Sequence, residues 1–203
     1  DHIHKRIVSC PEIKSVVLAT TQDPLNDPLV AHCEKLGMGV VRDTTEDDIA
    51  NRLYQSAKFS EADAILKINA DCPLIDPLII RKLVAAFFAS DHLDYISNKI
   101  NWTMPEGYSA EIISFHALQW CASNLADSTD RELVANWIKD SPRRFSQLSI
   151  EEDFTDHKNF PSCSVDTWED YKLVSKIFDD LYNENELFGW ISVRKWLLKN
   201  LTK

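Results

Sequence analysis

The stretch ADAILKINADCPLIDP, residues Ala62–Pro77, decides how the rest of the chain is read. Ala62–Ile68 is an apolar run of strand length, and Asn69-Ala70-Asp71-Cys72-Pro73 after it carries turn chemistry. Asp76-Pro77 then restarts the chain as a helix, with proline at its first position, running to about Phe88. Strand, short loop and helix form the repeating unit of a parallel α/β sheet. The same rhythm extends upstream. Glu46–Phe59 places Ile49, Leu53 and Ala57 four apart, as a helix face requires, and Gly39–Arg42 before it is a short strand. Asn26 caps a helix through Leu36, closed by Gly37. Ser15–Thr20 is a strand that exits into Thr-Gln-Asp-Pro, and His2–Cys10 is helical.

Downstream of Asp94 the pattern changes. Tyr95–Ser97 is a strand, followed by a polar, aromatic loop (Asn98–Ser109) and a strand at Ala110–Phe115. Helices follow at about His116–Leu125 and Asp130–Lys139, and the alternation of Phe145–Ile150 predicts an antiparallel strand. Ser164–Asp166 is brief, Thr167 caps a helix through about Leu181, and Ile191–Leu201 is a last amphipathic helix. Repeated strand–helix units with short connections predict right-handed crossovers. The expectation is one α/β domain over residues 1–203, a three-layer sandwich with a mostly parallel central sheet.

Composition narrows the function classes. Twenty-two Lys and Arg against 32 Asp and Glu give a net charge of −10, with no basic run, which disfavours a nucleic-acid binder. The longest apolar stretches, such as Leu83–Ala89, are far too short to span a bilayer, so no membrane insertion is expected. No signal-peptide pattern opens the chain. The five cysteines, Cys10, Cys33, Cys72, Cys121 and Cys163, are scattered without C-x-x-C spacing, which suits a reducing cytoplasm. Glycine occurs only four times, and no G-x-G-x-x-G or G-x-x-x-x-G-K is present. A glycine loop for polyphosphate is therefore not within these residues.

Ligands of open parallel sheets bind at the carboxyl ends of the strands. That rule selects Thr20 and Asp23, Arg42 to Thr44, Asn69 to Asp76, Asn98, and Asp166. Asp71 and Asp166 stand out, each lying between an apolar strand and a helix. Mg²⁺ takes a pair of carboxylates together with phosphate oxygens. The plainer alternative makes Asp71 a turn residue before Pro73 and Asp166 part of a helix start.

Several stretches resemble the spore-coat polysaccharide cytidylyltransferase family, relatives of the synthetases that activate sialic acid and other ketosugar acids as CMP conjugates. Val16–Gly37 resembles that family's second strand and helix, and VVRDTTEDDIANRLYQSA (Val40–Ala57) its arginine-containing loop and following helix. NADCPLIDP (Asn69–Pro77) resembles T-G-D-C-P-L-I-D-P, and YISN (Tyr95–Asn98) the strand closing the site. PEGYSAEIIS (Pro105–Ser114) resembles P-x-G-x-D-x-E-x-x-S, and SVDTWEDY (Ser164–Tyr171) resembles T-V-D-T-P-E-D. The likeness fades after Leu181.

The resemblance implies the fold of nucleotide-diphospho-sugar transferases and transfer of CMP from CTP to a sugar or sugar acid, releasing pyrophosphate, for surface polysaccharide synthesis. It implies Asp71 and Asp166 as catalytic ligands of Mg²⁺. It implies Thr20, Arg42, Thr44, Arg52 and Lys67 on the nucleotide, and Asn98, Gly107 and Glu111 at the sugar end. For Arg42 and Arg52 a solvated or helix-surface charge is the alternative, and for Glu111 an exposed strand position. It also implies a homodimer, and Trp102, Met104 and Tyr108 suggest an apolar surface for it. The family's first strand and phosphate loop are not in this sequence. Ala70, Asn51 and Ser109 replace its glycine and two aspartates, and RELVAN (Arg131–Asn136) departs from R-E-H-V-T-P. These departures lead to an expectation of little turnover by these residues alone. They leave two rivals: an inactive relative that binds a partner, and a glycosyltransferase using a sugar nucleotide.

Overall fold

The computed structural model describes residues 1–152, 157–184 and 186–201. Two parallel strands, β1 (Val17–Thr21) and β2 (Gly39–Asp43), form one small sheet, in register from Val17 opposite Gly39 to Thr21 opposite Asp43. Four strands form a second sheet in the order β3 (Ala64–Lys67), β5 (Glu111–Ser114), β4 (Tyr95–Ser97), β6 (Gln147–Ser149). Here β5 is antiparallel to both β3 and β4, while β6 is parallel to β4. Three of these four strands thus share one direction, and the inserted β5 opposes them. The Phe145–Ile150 segment is a correction: its alternation predicts an antiparallel strand, but β6 pairs in parallel. Alternation reports which faces differ, not which way the neighbouring strand runs.

Successive residues of the larger sheet feed two separate cores. Leu66, Ile96 and Ile112 belong to one, and Ile65, Tyr95 and Ile113 to the other. The first is closed by α1 (His2–Val8), α4 (Pro77–Ala89), α8 (Trp168–Leu181) and α9 (Trp190–Leu201). The second is closed by α3 (Ile49–Phe59), α5 (Phe115–Asn124) and α7 (Val134–Lys139). Helix layers on both faces make three layers. The smaller sheet carries α2 (Asp27–Lys35) against β2, and α3 lies across β1, β2 and β3.

Local chemistry explains most boundaries. Asp48 caps α3 by accepting from Asn51 N, Asp76 caps α4, and Thr167 with Asp170 closes a reciprocal capping box on α8. Asp76 reaches further: its second oxygen accepts from Trp190 N at 2.7 Å, tying the start of α9 to the start of α4. Arg6, fully buried, donates to the carbonyls of Ile75 (3.2 Å) and Phe188 (2.7 Å) and locks α1 into the same corner. The single helix expected over Asp130–Lys139 is two, α6 (Ser128–Glu132) and α7, separated at Leu133. Met104 and Tyr108 are fully buried in the first core, so neither supplies the exposed surface expected for self-association. No helix among the described residues is long and apolar enough to cross a membrane.

Candidate active site

Three segments meet where β3 and β4 end. Val165 N donates to Asp71 O and Cys163 N to Glu106 O, both at 2.8 Å, so residues 163–165 bridge the loop after β3 and the loop before β5. Gly107 permits this approach. Its φ is +96°, and a Cβ there would stand 2.6 Å from the Cys163 carbonyl oxygen. Asp166 directly follows the residue bonded to Asp71, which brings the two carboxylate-bearing segments side by side.

Each carboxylate is held by one neighbour. Asp71 Oδ1 accepts from the Cys72 thiol at 3.0 Å, and Asp166 Oδ2 accepts from Ser164 Oγ at 2.7 Å. Among the described residues the other oxygen of each meets no donor. Asp166 is exposed and Asp71 partly so. Burial, then the adjacent Asp71, pushes the Cys72 thiol well above its ordinary range, so it remains a donor. Among the described residues no group of three or more His, Cys, Asp or Glu is placed to hold a metal by itself. Two hard oxygen donors fit Mg²⁺ only in the arrangement that ion prefers, with substrate phosphates and water completing its shell.

Beside this pair lies a polar cluster on the α3–α5 face. Lys67 Nζ donates to Glu111 Oε1 at 3.1 Å and to Asn69 Oδ1 at 2.8 Å, and Tyr95 Oη donates to Glu111 Oε2 at 2.6 Å. Register causes the meeting, since Lys67 and Ser97 both stand opposite Glu111. Burial first, then the Glu111 charge, pushes the Tyr95 phenol far up and keeps it protonated. Glu111 is only 3% exposed, so it is not the exposed strand residue of the alternative reading.

The ends of β1 and β2 frame a shallow, open depression lined by Thr21, Gln22, Asp23, Pro24, Thr44 and Glu46. Arg42 does not point freely into it. Its Nε donates to Thr21 O and its Nη2 to Asp23 O, each at 2.9 Å, and Nη1 pairs with Asp27 at 2.7 Å. Arg52 is buried and donates to Glu46 O. Thr20 is buried opposite Arg42. Asn98 is fully buried, donating to Tyr108 O at 2.8 Å and accepting from Ala110 N at 3.0 Å. In the structure Arg42, Arg52 and Asn98 are thus engaged by other groups of the chain, Thr20 is buried, and Gly107 carries the close approach to Cys163. Thr44 is exposed at the depression and Lys67 is partly exposed at the strand end. Asp43, inside the selected Arg42–Thr44 stretch but given no role of its own, accepts from Thr44 N (2.7 Å), Thr45 N (3.4 Å) and Asn51 Nδ2 (2.8 Å) and so shapes the loop that presents Thr44. Its place at a strand end, before two threonines, was the available signal. Cys72 likewise falls within the selected Asn69–Asp76 stretch without a role of its own, and its adjacency to Asp71 was the signal for one.

Comparison with known proteins bears directly on this geometry. A family model described as cytidylyltransferase matches residues 1–170. An uncharacterised protein of Methanocaldococcus jannaschii is 29% identical over 86% of this chain and 71% of its own length. The spore coat polysaccharide biosynthesis protein SpsF of Bacillus subtilis is 25% identical over 81% of this chain and 67% of its own. Among solved structures, a cytidylyltransferase from Leptospira borgpetersenii superposes with a TM-score of 0.90 at 22% identity, over 99% of this chain and 83% of that one. The architecture is that of the nucleotide-diphospho-sugar transferases, and the chain belongs to the cytidylyltransferase family.

Proposed function

We propose that this transferase moves CMP from CTP to a sugar or sugar acid destined for a surface polysaccharide. Asp71 and Asp166 hold Mg²⁺ against the phosphates in this reading. The observation that supports it is the Val165 N–Asp71 O hydrogen bond, which joins the two segments that carry these carboxylates in a member of a cytidylyltransferase family. When bound, the ion neutralises charge on the α-phosphate and on the departing pyrophosphate. The chain's own residues supply the rest. Lys67 keeps one ammonium proton beyond its bonds to Asn69 and Glu111, available to an anionic substrate. Thr44 offers its hydroxyl at the mouth of the depression. Glu111, fixed by Lys67 and Tyr95, shapes the sugar end.

The smaller and larger sheets add a second part to the proposal. Among the described strands β1 pairs only with β2 and β3 only with β5, yet α3 covers β1, β2 and β3 alike. An extended strand between β1 and β3 would close one continuous sheet. A loop following it would bring backbone N–H groups to the triphosphate, and without such donors turnover by these residues stays low. A cytoplasmic location and a homodimer belong to the same proposal.

The test is Mn²⁺-dependent CTP binding, followed by the loss of the free-ion electron paramagnetic resonance signal. Asp71→Asn and Asp166→Asn should each weaken it at least about 10-fold while the circular dichroism spectrum stays unchanged. Binding as tight as in the parent protein by either variant overturns the shared-ion reading.

A further inference from the structure

A carboxylate turns about its Cβ–Cγ bond on a shallow, nearly two-fold potential, so an aspartate that must meet an ion needs something to fix that torsion. At Asp71 the fixing group is its own neighbour. The Cys72 thiol, 2% exposed, donates to Oδ1 at 3.0 Å and leaves Oδ2 without a donor among the described residues. The thiol is itself anchored. Cys72 N donates to Asn69 O and Ile75 N to Cys72 O, both at 3.2 Å, which fixes the backbone that carries it. Asp71 is pinned on its other side, where its carbonyl accepts from Val165 N.

We infer that Cys72 is a positioning residue for Asp71, its buried S–H setting the carboxylate rotation so that Oδ2 is presented to the cation; this rests on the reading of Asp71 as a metal ligand. A thiol suits the task chemically. It is a weak donor, so it orients the oxygen without drawing off much of the negative charge the ion needs. A guanidinium in the same place would orient the group equally well and compete with the ion for its charge. Burial matters too, because water does not displace the S–H donor at a site 2% exposed. Outer-shell donors of this kind change metal affinity by roughly 10- to 100-fold.

The test separates donation from packing. Valine approximates the thiol's bulk without a donor, and serine keeps a donor in a smaller, more polar side chain. Mn²⁺ affinity in the presence of CTP, read by electron paramagnetic resonance on the whole chain, should fall about 10-fold in Cys72→Val and in Cys72→Ala and stay within about threefold in Cys72→Ser. Thermal melting should rank the same variants differently, with valine above serine, because a hydroxyl is the costlier group to bury. Cys72→Val binding Mn²⁺ as tightly as the parent, or Cys72→Ser binding as weakly as Cys72→Val, overturns the inference. Asp71→Asn distinguishes the two levels. If it too leaves Mn²⁺ binding intact, the ligand reading fails and the inference with it. If it abolishes binding while the Cys72 variants do not, the inference alone fails.

Discussion

At the end of β2, each nitrogen of Arg42 is tied to the stretch from the end of β1 to the start of α2, whereas at the end of β3, Lys67 rests on a buried glutamate and an asparagine with a proton left over. Both positions were read as nucleotide contacts. A planar fork fixed by two carbonyls and a carboxylate acts as scaffold, while an ammonium on a flexible stem can still reach a ligand. The contrast extends to the surroundings. The smaller sheet has mostly partly exposed residues and a polar rim, while the two central strands of the larger sheet, β4 and β5, are buried throughout, and Glu111 on β5 holds Lys67 and Tyr95. In this molecule the smaller sheet shapes a surface and the larger one holds the charged groups.

The largest expected effect tests the larger half. Gly107→Ala forces a side chain into the Cys163 backbone at a positive φ, and we expect a loss of about 3 kcal/mol. For a chain of this size that lowers the melting temperature by roughly 6–12 °C. The bridge at 163–165 should loosen as well, so Mn²⁺-dependent CTP binding should fall with stability. A variant that melts within about 2 °C of the parent would show that the loop before β5 has room to shift, and the contrast between a rigid and an open half would weaken.

The next test sets the two cations against each other. Lys67→Met leaves Glu111, 3% exposed, without its ammonium partner, a change that costs about 2–3 kcal/mol. Arg42→Gln removes bonds at the surface, where the Asp27 partner is 61% exposed, and should cost about 1 kcal/mol. Urea midpoints measure both. Equal losses would mean that Arg42 holds more than a loop.

How far the sequence revealed this depends on what each feature is made of. Strand β1 and the Thr167 cap were legible because their signals are local: an apolar run bounded by turn residues, and a threonine three before an acid. Asp71 and Asp166 were selected by the strand-end rule; Asp71 does follow β3, whereas Asp166 follows residues in no strand, and a backbone hydrogen bond joins the two segments. The partners of Arg42, Asn98 and Gly107 were not legible, since each comes from a different segment and nothing in residue type announces them. Arginine at a strand end looks the same whether it faces a phosphate or Thr21 O. The break at Leu133 carries no glycine or proline, and the direction of β6 is set by β4 rather than by its own residues.

The smallest effect is one of pH, with one carboxylate in each half. Burial works against the charge of Asp94, but His116, the Ser146 amide and the Ser114 and Ser146 hydroxyls outweigh it and hold the group below the usual carboxylate range. Asp43 is depressed likewise: partial burial opposes its charge, and the Asn51 amide, the Thr45 and Thr44 amides and nearby Arg52 overcome it. A folded value below the unfolded 3.8 means that the unfolded chain binds the proton first. The stabilisation is therefore fully present well above pH 3.8 and disappears as pH falls below it through the folded value. Asp94→Asn and Asp43→Asn should each lose stability at about pH 5 to 7, at Asp43 without variation across that range, and both deficits should shrink below about pH 4. Each deficit should stay under about 1 kcal/mol, because both groups keep contact with solvent. Asp94 joins β4, α5 and the start of β6, whereas Asp43 orders only its own loop, so the Asp94 deficit should be the larger. Chemical denaturation at pH 7, 5 and 3.5 decides it. A larger deficit at Asp43 would mean that the smaller sheet depends on its loop more than the larger sheet depends on its edge, reversing the order of the two halves.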